Sequence, residues 1–147
     1  MKELLYLKDE QIKDFIQLLF YAYRETFSDP KEILSKKSFG LAHLRALNLI
    51  ERNPGTNLGE LIYQLKVTKQ SLNRVLRDLL RSKMIKQIKD DEDSRKKNLF
   101  LDIEGKIFFE KIYELQKKRI FNALKQSKPE SVLKFREVLN KIIDGKN

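Results

Sequence analysis

The chain has 147 residues, which is enough for one domain or for two small lobes that share a core. It contains no cysteine and a single histidine, which excludes disulfides, thiolate zinc sites, cysteine nucleophiles and multi-histidine metal sites. The formal net charge of +10 favours a polyanionic partner, although a lysine-rich, well-solvated surface explains the charge equally well.

Neither a membrane-spanning segment nor a secretion signal is predicted. The most apolar stretch, FIQLLFYAY at residues 15–23, is far shorter than the roughly 18 apolar residues of a spanning helix. The first ten residues, MKELLYLKDE, mix acids with bases and lack the apolar centre and cleavage site of a signal peptide. We therefore expect a cytoplasmic protein with no membrane partner.

Helical periodicity fills most of the chain, which has only three prolines and five glycines. Apolar residues spaced by three and four predict a first helix over residues 12–27, which stops before Pro30. A second helix is predicted to end at the turn that begins with Asn53. Its apolar face comprises Phe39, His43, Ala46, Leu47 and Ile50.

Two closely spaced helices come next. Asn57, with Glu60 three residues later, has the form of a capping box that opens a third helix through Leu65. Thr68 is a suitable N-cap for a fourth helix. Because only a few residues around Lys66 separate the two, they predict a helix-turn-helix. The predicted buried stripe of the fourth helix is Leu72, Val75, Leu76 and Leu79.

The apolar period then changes from helical to alternating. In MIKQIK the apolar positions are Met84 (or Ile85) with Ile88, and in NLFLD they are Leu99 and Leu101. These two segments flank the polar loop DDEDSRKK. The pattern predicts a small antiparallel ribbon, placed as a wing behind the helix-turn-helix.

Two further helices complete the chain. Asp102 is the predicted cap of a long helix over residues 103–126, and Ser127, Pro129 and Glu130 open a last helix. The inner side of that last helix is predicted to comprise Val132, Phe135, Val138, Leu139, Ile142 and Ile143.

This order of elements predicts a mainly α fold with a small β-ribbon, in a single domain of 147 residues. Residues 39–102 form the winged helix-turn-helix lobe, and residues 8–27 and 103–145 form a layer of terminal helices. These helices hold many of the nine phenylalanines and five tyrosines. Uncovered, they would expose a large apolar patch, which predicts that the layer is the interface of a symmetric homodimer.

The exposed face of the fourth helix combines long cations with amides. By three- and four-residue steps this face comprises Gln70, Asn73, Arg74, Arg77 and Arg81. In a major groove, arginine pairs with guanine and asparagine or glutamine with adenine, each through two hydrogen bonds. Thr68, Lys69 and Ser71 lie in the first turn and suit phosphate contacts. A solvated basic face is the alternative, but the neighbouring short helix and ribbon favour duplex DNA.

The segment 39–105 resembles the winged helix-turn-helix of the MarR family of bacterial regulators. The resemblance rests on PGTNLGELIYQLKVTKQSLNRVLRDLL for the two helices and DDEDSRKKNLFLDIEGK for the wing and the next helix start. Asp93 and Arg95 stand where the family has its D-x-R, ahead of alternating leucines and the glycine at Gly105. The family often has glycine in the turn where Lys66 stands, which predicts a strained or longer turn.

The resemblance implies a dimeric repressor that binds a pseudo-palindromic operator in double-stranded DNA and needs no cofactor. The fourth helix of each chain in the dimer would read one half-site, and the two half-sites would lie about one helical turn of DNA apart. It further implies that Arg95, oriented by Asp93 and followed by Lys96 and Lys97, reaches the minor groove or its backbone. An ordinary solvated hairpin tip is the alternative for the wing.

The lone histidine has two interpretations. A histidine on an apolar helical face is most often a satisfied core residue. The resemblance adds a second, because small aromatic or anionic effectors often bind in this family between the dimer helices and the winged lobe. Tyr23, Phe39 and His43 are the residues that we predict would line such an effector site.

Two other classes of function remain open. A winged-helix module without an operator would use the same basic face for contacts with protein or RNA, but the groove-reading amides and arginines argue against this class. An enzyme has little support, because the sequence shows no phosphate-binding glycine loop, no nucleophile–histidine pattern and no metal cluster.

Overall fold

In the computed structural model, which describes residues 4–145, the chain is mainly helical with one two-stranded antiparallel ribbon. This confirms the predicted fold class. The elements are a 3-10 turn at Leu5–Leu7, α1 at Asp9–Ser28, α2 at Lys31–Ser35, α3 at Leu41–Arg52, α4 at Leu58–Leu65, α5 at Lys69–Arg81, β1 at Ile85–Lys89, β2 at Lys97–Leu101, α6 at Ile103–Lys125 and α7 at Pro129–Asp144. The periodicity missed α2, because five residues are too few to show a helical period.

The chain divides into two compact units. Unit 2 is Phe27–Tyr113 and contains the helix-turn-helix and the ribbon. Unit 1 comprises α1 up to Thr26, α6 from Glu114 onward and α7. Helix α6 is therefore one continuous helix that contributes residues to both units.

Unit 2 has a continuous apolar core. The predicted stripe of α5 is buried, which confirms the orientation expected for that helix. Burying one such aliphatic side chain stabilises a fold by about 1.5–3 kcal/mol. The core therefore fixes the rotation of α5 about its own axis and turns the opposite face to solvent. Its most deeply buried aliphatic side chains are Leu44, Leu47, Ile50, Leu61, Leu79, Ile85 and Ile112.

Helix α4 begins with a polar cap, as predicted. The Asn57 Oδ1 accepts a hydrogen bond from the Glu60 backbone N–H at 3.0 Å. The reciprocal half of the expected capping box is replaced, because the Glu60 Oε2 accepts from the Thr56 hydroxyl at 2.8 Å. Thr56 is buried, so the start of α4 is anchored to the core by a satisfied polar side chain.

The turn between α4 and α5 is tight. Lys66 adopts φ 53° and ψ 46°, the left-handed conformation that glycine reaches without cost. This confirms the strain predicted at this position. Thr68 then caps α5, because its hydroxyl oxygen accepts from the Ser71 N–H at 3.2 Å.

The ribbon pairs Ile85 with Leu101 across its two strands. Ile85, Leu99 and Leu101 are buried in the core. Ile88, which the sequence pattern grouped with Met84 (or Ile85) as an apolar position, is 50% exposed. It lies three residues after Ile85, and the two-residue alternation of a strand therefore turns it to the opposite face.

Backbone hydrogen bonds tie the ribbon to the turn that precedes α4. The Gly55 N–H donates to the Leu99 carbonyl at 2.8 Å, and the Leu99 N–H donates to the Thr56 carbonyl at 2.7 Å. We call this pair of bonds the 56–99 junction. It fixes the wing against the start of the helix-turn-helix, and it extends the sheet by an isolated bridge that the sequence pattern did not predict.

A second close approach lies at the start of α6. The Asp102 N–H donates to the Met84 carbonyl at 2.9 Å, and the Asp102 carboxylate accepts from the Ile103 N–H at 2.8 Å, at the predicted helix start. Gly105 is buried directly against Met84, where an added Cβ would overlap the carbonyl oxygen. The glycine is needed here because backbone, and not a flexible side chain, occupies the space.

Unit 1 leaves its apolar side chains uncovered within the described chain. Helices α1 and α7 contain no buried residue among residues 4–145. Phe135 is 55% and Ile142 54% exposed, although the sequence pattern places both on an inner side. Pro129 is the first residue of α7 as predicted, whereas the Ser127 hydroxyl donates to the Ala123 carbonyl instead of capping α7.

Candidate nucleic-acid interface

The solvent-facing side of α5 carries cations and amides. Gln70, Arg74, Arg77 and Arg81 are exposed, and Asn73 is half-buried. Within the described residues, no ion pair joins Arg74, Arg77 or Arg81 to a carboxylate. Thr68, Lys69 and Ser71 are exposed around the first turn, where the backbone N–H groups of a helix are available to an anion. None of the three arginines is therefore neutralised by an ion pair within that part of the chain.

An open groove of about 960 Å³ lies between α5, the start of α4 and the ribbon. We call it the basic groove. Five cations line it, and no carboxylate does so in the part of the chain that the structure describes. Its charged and amide residues from α5 and the wing are Asn73, Arg77, Arg81, Arg95, Lys96 and Lys97.

The basic groove suits a phosphate backbone because of its charge. Cations that line a concave surface reinforce one another and raise the local concentration of anions. Asn57 and Gly59 of the first turn of α4 also line the groove, but the Glu60 carboxylate in that turn offsets the helix dipole. The positive potential that a polyanion would meet therefore comes from α5 and the wing.

The groove collects six of the residues that the sequence analysis selected, three from α5 and three from the wing. Gln87 and Asn57 also line it and were missed. The ribbon register could have indicated Gln87, since it faces Leu99 from an exposed position of β1. The predicted residues inside the groove are Asn73, Arg77, Arg81, Arg95, Lys96 and Lys97, and those outside it are Thr68, Lys69, Gln70, Ser71, Arg74 and Asp93.

In the wing, Asp93 and Arg95 form a local ion pair. The Asp93 Oδ1 accepts from the Arg95 backbone N–H at 3.0 Å and from its Nε at 3.2 Å. These two hydrogen bonds, with the positive charge of Lys96 nearby, lower the pKa of Asp93 below its usual value. The Arg95 side chain is 90% exposed, so its two terminal nitrogens point into solvent while the Nε holds its direction.

The predicted effector residues are divided between the two units. Tyr23 belongs to unit 1, and Phe39 and His43 belong to unit 2. Both ring nitrogens of His43 already have partners, because Nδ1 accepts from the Gly40 N–H at 3.0 Å and Nε2 lies 2.9 Å from Asp78 Oδ2. That hydrogen bond, with Arg81 and Arg77 nearby, lowers the pKa of Asp78. These contacts are those of a satisfied core histidine.

Over residues 4–145, no helix is long and apolar enough to cross a membrane. No group of three histidine, aspartate or glutamate side chains in that same range is placed to hold a metal ion.

Two paired helices with an exposed cationic face, followed by a two-stranded wing, define a winged helix-turn-helix protein. The model of the MarR family matches residues 39–96. The HTH-type transcriptional regulator PetP of Rhodobacter capsulatus is 39% identical over 141 residues, which cover 96% of this chain and 85% of that protein. The chain belongs to the MarR family of transcriptional regulators, as its sequence motifs predicted.

Solved structures share the fold. A MarR-family transcriptional regulator from Silicibacter pomeroyi superimposes with a TM-score of 0.78 at 18% identity, covering 99% of this chain and 97% of that one. FabT of Streptococcus pneumoniae, solved in complex with DNA, gives a TM-score of 0.74 at 14% identity, with 93% and 96% covered. At these sequence identities the comparison shows a shared fold.

Proposed function

We propose that this chain is a dimeric, sequence-specific repressor of transcription that binds a pseudo-palindromic operator in double-stranded DNA and acts in the cytoplasm. The observation that carries the proposal is the basic groove, where five cations from α5 and the wing meet. The relative PetP, named an HTH-type transcriptional regulator, and FabT, solved in complex with DNA, support it.

The proposal gives different tasks to the parts of the interface. Gln70, Asn73 and Arg74 extend from the exposed face of α5 and would meet base edges in a major groove, which is wide enough for a helix. Arg77 and Arg81 line the basic groove beside them and would hold the phosphates of one strand. Release of the counterions from those phosphates would supply a salt-dependent part of the affinity.

The proposed homodimer is supported by the uncovered apolar side chains of unit 1. Large apolar residues remain exposed along both α1 and α7 in the single chain. Monomeric soluble proteins rarely expose contiguous apolar patches of this kind. A two-fold symmetric partner would cover them and would also supply the second α5 that a pseudo-palindromic site requires.

A module for RNA or protein contacts is the alternative. The major groove of an A-form RNA duplex is too deep and narrow for side chains to read, so the row of amides and arginines on α5 would have no ligand there.

The test of the proposed function begins by enriching bound duplexes from a random pool. It then measures whether structured RNA of equal charge competes for the enriched duplex. Competition at equal concentration, or failure to enrich any duplex, would favour the alternative.

Replacing Arg74 by alanine should lower the affinity for the enriched duplex by about 1–3 kcal/mol and relax base preference at one position in each half-site. The reason is its exposed position at the centre of the α5 face. Arg52→Ala is the matched control, because Arg52 ends α3, is exposed and does not line the basic groove. Equal weakening on all duplexes would show that Arg74 contacts phosphate instead of a base.

Arg95→Ala should weaken binding and reduce the salt dependence of the binding constant. Each lost phosphate contact changes the slope of log affinity against log salt by about 0.9, so a dimer that loses two should change by nearly 2. Asp93→Ala should give a milder defect, because it removes the two hydrogen bonds that orient Arg95 but leaves the positive charge of Arg95. An unchanged slope in Arg95→Ala would mean that the wing is a solvated hairpin.

We also propose that a small aromatic or anionic effector relieves repression through the site predicted around Tyr23, Phe39 and His43. A compound such as salicylate should raise the melting temperature and weaken DNA binding, as linkage requires of a ligand that prefers the free state. Tyr23→Phe, which loses only a hydroxyl, should reduce both effects. If a broad panel of such acids changes neither quantity, the effector proposal fails.

A further inference from the structure

Asp78 is the only carboxylate on α5, the helix that carries the proposed base-reading face. Arg74 lies four residues before it and Arg81 three residues after it. Side chains at these spacings meet on the surface of a helix, and opposite charges there attract each other. An unrestrained Asp78 would therefore pair with one of the two arginines and would also bring a negative charge towards the phosphates.

Asp78 makes a different contact. Its Oδ2 lies 2.9 Å from the Nε2 of His43, a residue of α3. Of the ion pairs among residues 4–145, the one that includes Asp78 is this contact with His43, and none joins it to Arg74, Arg77 or Arg81. The carboxylate is thus hydrogen-bonded to the neighbouring helix and is not ion-paired with the arginines of its own helix, although Arg81 and Arg77 lie near enough to lower its pKa.

Contacts with Gly40 and Phe39 fix the orientation of the His43 imidazole. The Gly40 N–H donates to Nδ1 at 3.0 Å, so in neutral histidine the hydrogen lies on Nε2 and is donated to the carboxylate. The Phe39 ring stacks on the imidazole with centroids 4.8 Å apart, and Phe108 of α6 packs edge-on against Phe39 at 6.0 Å. The His43 side chain is only 13% exposed, so its orientation depends on these neighbours and not on water.

We propose that His43 is a positioning residue for DNA binding: its Nε2–H holds the Asp78 carboxylate against α3 and so keeps Arg74 and Arg81 available to DNA. The inference rests on the proposed function, because it assigns His43 an effect on operator affinity. His43 itself does not touch DNA in this scheme. Phe39 and Gly40 contribute by fixing the ring, and Asp78 is the group whose position is controlled.

The first test uses the free protein. In His43→Asn the shorter side chain can still accept from the Gly40 N–H but cannot reach Asp78, so the carboxylate is released. NMR of the arginine Nε–Hε groups should then show a new ion pair at Arg74 or Arg81, absent from the wild type and from His43→Asn/Asp78→Asn. The idea is overturned if the wild type already shows this pair, or if His43→Asn does not create it.

Affinity for the enriched duplex gives the second test. His43→Asn should lose about fivefold per half-site, the lower end of what one arginine–base contact contributes. His43→Gln, whose amide nitrogen can replace Nε2 as donor to Asp78, should restore most of the loss, and so should Asp78→Asn in the His43→Asn background. Losses that neither change relieves, accompanied by a lower melting temperature, would show a purely structural role and overturn the proposal.

The two tests separate the inference from the proposed function. A wild-type protein that binds no duplex at all would contradict the proposed function. The NMR comparison would still decide whether His43 keeps Asp78 away from the arginines.

Discussion

Gly105→Ala is expected to destabilise unit 2 by about 3 kcal/mol or more, at the upper end of the cost of overfilling a packed site. The added methyl group would overlap the carbonyl oxygen of Met84, which is backbone and cannot rotate away. Either α6 must move from the ribbon or the Asp102–Met84 hydrogen bond must break. For a chain of this size, such a loss lowers the melting temperature by roughly 6–12 °C.

Gly59→Ala is the matched control for this experiment. Gly59 also lies in the first turn of a helix, but a Cβ there would meet only the Asn57 Oδ1, at an ordinary contact distance of 3.4 Å. Alanine is the better helix former by about 1 kcal/mol, so this variant should be neutral or slightly more stable. Denaturant unfolding of both variants is the measurement. Equal stability of the two would contradict the close approach of Gly105 to Met84.

The double variant Phe135→Asp/Ile142→Asp is expected to dissociate the proposed dimer. The two residues lie seven apart on the apolar side of α7, and both are exposed in the single chain. If a second chain covers them, the variant places two carboxylates per chain in an apolar interface, which costs more than the interface can supply. Because the two half-sites would then bind independently, operator affinity should fall by about 10²- to 10⁴-fold.

The control for the dimer experiment is Asn140→Asp, which adds a negative charge to the polar side of the same helix. It should leave both the assembly and the affinity unchanged. Sedimentation velocity measures the assembly, and circular dichroism checks that the helices persist. If the double variant sediments as the wild type does, the second copy must bind elsewhere and this part of the proposal is wrong.

The local features of the winged lobe were predictable because each depends on residues close in sequence. The stripe of Leu72, Val75, Leu76 and Leu79 fixes which side of α5 is buried, and a helical period reveals it directly. Thr68 and Asn57 cap their helices through bonds that span three residues. The strain at Lys66 was expected because the family that the sequence resembles often has glycine in this turn.

Other features could not be predicted, since they join residues that are far apart in the chain. The role of Gly105 depends on Met84, 21 positions earlier, and its motif position alone does not reveal that neighbour. His43 and Asp78 are separated by 35 positions, and no local pattern distinguishes their contact from an ordinary exposed acid on α5. The basic groove likewise depends on how the ribbon meets α4, which the 56–99 junction determines.

The 56–99 junction also has a consequence for folding. It closes a loop of 99 − 56 = 43 positions that contains both helices of the helix-turn-helix, whereas the outermost ribbon pair, Lys89 with Lys97, closes 97 − 89 = 8. The longer closure costs about 1.5 kcal/mol more in chain entropy. The helices and the hairpin should therefore form first and the junction last. On warming the order reverses, so the junction should open before the helices of the helix-turn-helix unfold.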